Sequence, residues 1–331
     1  MEDYKLNKEL NLVLFGCKSS TKKIFDFLIE NFENVTLVTI TEDNAKKNKV
    51  ADFFNFNNSI ENIKFVNTYS LTDKDDISFF LKKKFDVGFA IGWQRIIPEI
   101  ILKSTRLGVF GMHGSAMRLP RGRGRSPLNW SIIDNHKNFF NTLFRYSTGI
   151  DDGKILDTYE FEINEHDTSE TLHFKNFLSM KFLIKKNIEK LSKNDMLLKE
   201  QSTENPTYYP KRDENDSLIN WNDKIDAIDR FIKAVTKPFN GAYTFYNNQK
   251  LIIYRANIFD KSIFGIKSKK FGEIVEIFPN QKFLIFANGG LLIVHEYKCK
   301  TLIKKGFVLN NHNQKKRIFD VNKFGNHDLE Q

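Results

Sequence analysis

A histidine, an acidic turn and a run of arginines lie close together in the middle of this chain. Residues 111 to 130 read GMHGSAMRLPRGRGRSPLNW, and Gly149-Ile150-Asp151-Asp152-Gly153 follows. His113 closes the apolar run from Gly108, which places it at the end of a strand. A strand-end imidazole with a carboxylate folded back onto it can move protons near neutral pH. Asp151 and Asp152 stand between glycines, where Asx residues commonly form turns, so only one of them is expected to face the histidine. Arg118, Arg121, Arg123 and Arg125 form the one dense arginine cluster. Guanidinium forks beside glycine N–H groups match phosphate oxygens, and an RGG-like RNA contact is the competing reading of the same loop. Gly111 and His113 share a strand face because side chains alternate with period two.

These pieces, in this order, resemble the signature of the folate-dependent formyltransferases: Asn-x-His, Leu-Pro, Arg-Gly-x-x-Pro, then a hydrophobic-Asp-x-Gly turn. The matches are His113, Leu119-Pro120, Arg123-Gly124-Arg125-Ser126-Pro127 running into Asn129-Trp130, and Ile150-Asp151-Asp152-Gly153. Gly111 stands where the family carries asparagine, and two extra residues sit between His113 and Leu119-Pro120. Tyr208 to Arg212, Ile219-Asn220-Trp221 and Pro238 to Ala242 look like the start of the family's C-terminal domain. That domain is carried by transfer-RNA formyltransferases and some amino-sugar formyltransferases. The likeness covers roughly Leu10 to Tyr297.

The resemblance implies catalytic roles for His113, which orients the oxyanion or shuttles the proton, and Asp151, which holds the imidazole in its protonated form. Asp152 is then a turn residue. Gly92, Trp93, Gln94, Arg95, Ile96 and Ile97 resemble the segment lining the pterin pocket, where backbone groups read the heterocycle. The implied co-substrate is 10-formyltetrahydrofolate, with no metal. Gly114, Ser115, Arg121, Arg123 and Arg125, with Lys211 and Arg212, would hold the diphosphate of a nucleotide-linked amino sugar. The leading expectation is transfer of a formyl group to the amine of a nucleotide-linked amino-deoxysugar for surface-glycan synthesis. Methionyl-transfer-RNA formyltransferase is the alternative, and a binding protein impaired by loss of the asparagine is a third. Gln94 or Asn129 could replace the missing amide, and Trp130 is expected in the core.

The elements that must position these groups alternate along the chain. Strands at Leu10–Phe15, Val35–Ile40, Ile63–Val66, Val87–Ile91 and Gly108–His113 are separated by helical stretches at Lys22–Glu33, Asp73–Lys84 and Pro98–Lys103. That pattern predicts an α/β fold, a Rossmann-like domain with a mostly parallel sheet whose ligands lie beyond the carboxyl ends of the strands. A strand over Lys154–Ile163 and a helix from the capping box at Asp167-Thr168-Ser169-Glu170 to about Leu191 follow. The polar stretch Ser192–Asn205 marks the boundary between a catalytic domain, 1–200, and a C-terminal domain, 206–331. In the latter, Asn222 is expected to cap a helix carrying Ile225, Ile228, Ile232 and Val235 on one face. Strands at Tyr243–Tyr246, Lys250–Asn257, Gly272–Phe278, Lys282–Phe286 and Leu291–Tyr297 then predict a smaller OB-like β-barrel.

Composition sets the outer limits. A chain of 331 residues with 40% hydrophobic content can hold two cores. The net charge of +10 invites nucleic acid, but lysines are scattered rather than gathered on a stripe, so nucleic acid is disfavoured as a partner. Cys17 and Cys299 fit neither a disulfide framework nor a metal pattern. The polar start MEDYKLNKEL lacks a signal core, and no run approaches a membrane span, so a cytoplasmic protein is expected. A homodimer is the assembly left open.

Overall fold

The apolar runs Leu12–Phe15 and Val87–Ala90 are strands covered on both faces, so their buried residues run continuously instead of alternating. The computed structural model describes residues 9–50, 52–57, 62–262, 266, 270–310, 319–321 and 327–329. In chain order these form β1 (Asn11–Phe15), α1 (Ser19–Asn31), β2 (Asn34–Thr39), α2 (Glu42–Lys47), β3 (Ile63–Phe65), α3 (Lys74–Lys83), β4 (Val87–Ala90), α4 (Glu99–Ser104) and β5 (Val109–Ser115). There follow β6 (Arg123–Gly124), α5 (Pro127–Ile133), β7 (Asn138–Arg145), β8 (Ile155–Glu162), α6 (Ser169–Ser192) and β9 (Tyr208–Tyr209). A seven-stranded sheet runs in the order β3-β2-β1-β4-β5-β7-β8. Its first five strands are parallel, as the alternation predicts, and β7 returns antiparallel to β5. The chain goes from β1 outward to β3 and then back to β4, so the order reverses between β1 and β4. Ligands of such sheets bind at that crevice.

Local chemistry sets the helices. Asp73 accepts hydrogen bonds from the N–H groups of Asp75 and Asp76 at the start of α3, while Lys82 and Lys83 fall in its last turn. The aspartate satisfies N–H groups of the first turn, and the lysines complement the dipole at the other end. α1 buries Ile24, Phe25, Phe27 and Leu28 against the sheet.

The chain packs as two units. The first comprises 1–123, 140–160 and 175–206, and the second comprises 124–139, 161–174 and 207–331. The second unit holds α7 (Ile225–Val235), whose Ile225, Ile228, Ile232 and Val235 are all buried. Asn222 is not its cap: Lys224 flanks the first turn without a side-chain cap bond, and the Ile225 N–H donates to the Asn288 carbonyl at 2.8 Å. A neighbouring turn carbonyl does the work expected of a capping side chain.

Beyond α7 lie β10 (Ala242–Tyr246), β11 (Gln249–Asp260), β12 (Glu273–Ile277), β13 (Phe283–Ala287) and β14 (Gly290–Lys298). They form one antiparallel sheet in the order β10-β11-β14-β13-β12. Asn247 and Asn248 join β10 to β11 with φ values of 47° and 59°, the left-handed pair that a tight hairpin needs. Both sheet edges bridge one later segment: Phe245 pairs with Asn310 and Glu273 with Val308. That segment curls the sheet toward a barrel. Most of the lysine- and asparagine-rich tail lies outside the described residues.

Candidate active site

His113 sits near the carboxyl end of β5, buried with 8% of its surface exposed. The register pairs Gly111 with Phe144 and His113 with Thr142, so Gly111, His113, Thr142 and Phe144 share one sheet face. The imidazole Nε2 lies 2.6 Å from the Gly122 carbonyl. A carbonyl only accepts, so that contact needs a proton on Nε2. Nδ1 faces Asp151 Oδ2 at 3.4 Å. Both ring nitrogens therefore look at oxygen atoms, one on the loop and one on the acidic turn.

The acidic turn that supplies Asp151 is tied down at several points. Ser147 Oγ donates to the Asp152 carboxylate, which makes Asp152 part of the turn and leaves Asp151 toward the histidine. Asp151 itself adopts φ 50°, a left-handed conformation that Asp tolerates better than most residues. Gln201 donates through Nε2 to the carbonyls of both Asp151 and Gly153 at 2.8 Å. Its Oε1 accepts from an Arg123 guanidinium nitrogen at 2.6 Å. Gln201 thus couples the arginine loop to the acidic turn, and a lone glutamine in a polar stretch gave no signal of that role.

The arginines separate by burial. Arg123, expected to grip phosphate, is only 7% exposed and is engaged with Gln201, so its placement is that of a structural link. Arg121 and Arg125 are exposed. Ser115 is buried and accepts from the Met117 N–H at 3.2 Å, and Gly114 is buried in the strand, so both shape the loop from beneath. In the second unit, the Arg125 N–H donates to the Tyr209 carbonyl at 2.9 Å. Lys211 there is exposed. Arg212 lies over the Trp130 ring at 4.6 Å and donates to the Asp216 carbonyl at 2.5 Å. Trp130 is buried. Asn129 cannot stand in for the missing amide, because its Nδ2 donates to the Ala234 carbonyl at 2.6 Å within the second unit.

The segment after β4 is held from below by the end of β1 and the start of α1. Thr21 Oγ1 donates to the Ile91 carbonyl at 2.6 Å. A side chain at Gly92, φ 78°, would meet Thr21 Oγ1 at 2.6 Å and Lys18 Cβ at 3.1 Å. The glycine is required there by packing. Trp93 and Ile97 are core residues, whereas Gln94, Arg95 and Ile96 are exposed, Ile96 with 58% of its surface. The Gln94 N–H donates to Tyr69 Oη at 3.0 Å, and Arg95 lies over the Tyr69 ring at 5.0 Å. Cys17, at the end of β1, contacts Tyr69 Oη at 3.6 Å and the Gly92 carbonyl at 3.5 Å. Burial pushes its thiol pKa up, so it is a packing residue. Among the described residues no group of three or more His, Cys, Asp or Glu is placed to hold a metal ion. None of the described helices is long and apolar enough to cross a membrane.

Tyr146 was missed by sequence reasoning. Its N–H donates to the Val109 carbonyl at 2.7 Å, and its ring packs 5.4 Å from that of Phe144. A Cβ at Gly111 would fall against this ring, with Cδ1 and Cζ each 2.7 Å away.

Residues 10–178 match the family described as formyl transferase, and residues 211–306 match the formyl transferase C-terminal domain. The bifunctional polymyxin resistance protein ArnA of Wigglesworthia glossinidia brevipalpis is 36% identical over 182 residues, 55% of this chain and 28% of that protein. The methionyl-tRNA formyltransferase of Clostridium tetani is 33% identical over 202 residues, 61% of this chain and 64% of that protein. The chain therefore spans less than two thirds of either relative. Among solved structures, an N-formyltransferase from Helicobacter canadensis, in complex with folinic acid and dTDP-3-aminofucose, superposes with a TM-score of 0.60 at 20% identity. The match covers 87% of this chain and 100% of that one. A sugar 3N-formyl transferase solved with dTDP and 5-N-formyl-THF gives a TM-score of 0.59 at 21% identity, over 88% and 99% of the two chains.

Proposed function

The chain belongs to the formyl transferase family, and we propose that it moves a formyl group from 10-formyltetrahydrofolate to the amine of a nucleotide-linked amino-deoxysugar. The observation that carries the reading is the buried His113 facing Asp151 at the end of β5, inside the matched segment. In the reaction the amine lone pair attacks the formyl carbon and a C–N bond forms while the carbonyl π pair moves onto oxygen. When that pair returns, the bond to N10 of the donor breaks and N10 keeps the electrons. N10 takes up one proton and the former amine gives one up, so the products are a formamide and tetrahydrofolate. His113, oriented by Asp151, is the group that handles the proton and the oxyanion.

Gly92 to Ile97 suit the pterin. Ile96 leaves an apolar side chain exposed, and the buried Trp93 Nε1–H has no hydrogen-bond partner among the described residues. Arg121 in the first unit, and Arg125 and Lys211 in the second, are exposed cations of the kind that grip a diphosphate. The nucleotide sugar named for one solved neighbour supports the acceptor class, and so does the dTDP of the other. The two-domain reading, 1–200 and 206–331, belongs to the same proposal, as does a role in surface-glycan synthesis.

Initiator transfer RNA is the second acceptor to test, on the strength of the methionyl-tRNA formyltransferase likeness and the +10 charge. Purified protein with 10-formyltetrahydrofolate should formylate an amino-sugar nucleotide and leave charged initiator transfer RNA unmodified. Efficient formylation of the transfer RNA, with affinity falling steeply as salt rises, would replace the sugar reading.

A further inference from the structure

A glycine beside the catalytic histidine is filled by a side chain from the neighbouring strand. Gly111 lies two residues before His113 on β5 and opposite Phe144 on β7. Tyr146 is two residues beyond Phe144, which makes it the diagonal neighbour of Gly111 on the His113 face. The built Cβ of residue 111 meets the edge of the Tyr146 ring, and Cζ, the atom that carries the hydroxyl, is 2.7 Å from it. The hydroxyl therefore occupies the shell around position 111 that a short amide side chain would reach. The ring packs against the core cluster that includes Val109 and lies 5.4 Å from the ring of Phe144.

We propose that the Tyr146 hydroxyl donates the hydrogen bond to the developing formyl oxygen that position 111 cannot supply, acting beside His113. The proposal rests on the formyl-transfer reading above. The hydroxyl must remain a donor throughout the working pH range. Burial pushes the Tyr146 phenol pKa well above its ordinary value, and the charge of Asp151 pushes it further the same way. Both effects keep the proton on the phenol oxygen. A neutral phenol held by packing is preorganised for an oxyanion, because it needs no rearrangement when charge develops.

The experiment compares the full chain with Tyr146→Phe, Tyr146→Ala, and Tyr146→Ala combined with Gly111→Asn, in steady-state formyl transfer to the acceptor the parent uses. Phenylalanine keeps the ring, so melting temperature and the KM values for donor and acceptor should stay at parent values while kcat falls by about 10²-fold. With the ring removed, asparagine at 111 has room, and the double variant should recover at least about tenfold of the kcat that Tyr146→Ala loses. Parent-like kcat in Tyr146→Phe overturns the proposal and leaves the formyl-transfer reading standing. So does a loss in Tyr146→Phe that appears only in KM or melting temperature. Absence of transfer by the parent to either an amino-sugar nucleotide or charged initiator transfer RNA overturns both.

Discussion

Gly111→Ala should destabilise the first unit, and the cost should vanish when Tyr146 is also shortened. The alanine Cβ would sit 2.7 Å from both Cδ1 and Cζ of the Tyr146 ring, well inside van der Waals contact. The ring is flanked by Phe144 at 5.4 Å and anchored by its own N–H to Val109, so relief requires the side chain to swing or the strands to part. Overpacking of this kind costs about 1–3 kcal/mol. Replacing glycine by alanine where the backbone permits it returns about 0.4–1 kcal/mol through the unfolded chain. The difference leaves a net loss of roughly 0.5–2 kcal/mol, or about 1–8 °C in melting temperature at 2–4 °C per kcal/mol. In a Tyr146→Ala background the overlap is gone and Gly111→Ala should be neutral or mildly stabilising, giving a coupling of about 1–3 kcal/mol. Calorimetry on the four proteins of this cycle measures it directly. Equal effects of Gly111→Ala in the two backgrounds, or a Gly111→Ala protein as stable as the parent, would refute the packing argument.

Three further outcomes are expected. His113→Ala and Asp151→Asn should each lower kcat by about 10²–10⁴-fold with the fold intact by circular dichroism, and the double variant should be little worse than the weaker single, because the two act as a unit. Arg125→Ala should raise the KM of a diphosphate-bearing acceptor without changing melting temperature, whereas Arg123→Ala, by stranding the Gln201 acceptor, should cost about 1–3 kcal/mol in urea unfolding. His295, on β14, has its pKa lowered by burial and by the charges of Arg255 and Lys282. Its neutral form is favoured on folding, so its contribution is present above about pH 6.5 and lost as pH falls. The urea midpoint should therefore drop on acidification less steeply in His295→Gln than in the parent.

Most of the framework was legible because period and burial coincide. β1 and β4 are short, continuous apolar runs, and each is covered on both faces. The α7 stripe repeats at helical spacing and every member of it is buried. Where local chemistry was overridden, a distant backbone group was responsible: Asn222 reads as a cap until Asn288, sixty-six residues away, supplies the carbonyl. The antiparallel return of β7 was invisible for a related reason. Its residues, NFFNTLFR, are apolar enough for any strand, and only pairing with β5 gives them direction.

The site divides in the same way between local and long-range information. The order of the motif pieces brings His113 and Asp151 together because one strand end and one hairpin turn can be read directly from glycines and an apolar run. Burial within the arginine loop could not be read, since Arg121, Arg123 and Arg125 are chemically identical and Arg123 is engaged by Gln201, far along the chain. Gly111 shows the limit most clearly. Taken alone it is a missing amide and suggests impairment. Its meaning lies in the register that pairs it with Phe144 and sets Tyr146 on the diagonal, so that the residue filling the gap is thirty-five positions away in sequence yet adjacent in the sheet. A substitution next to a site residue is therefore to be judged with its cross-strand neighbours. Here the glycine and the tyrosine form one packing unit, and neither can be changed to a larger or smaller residue without consequences for the other.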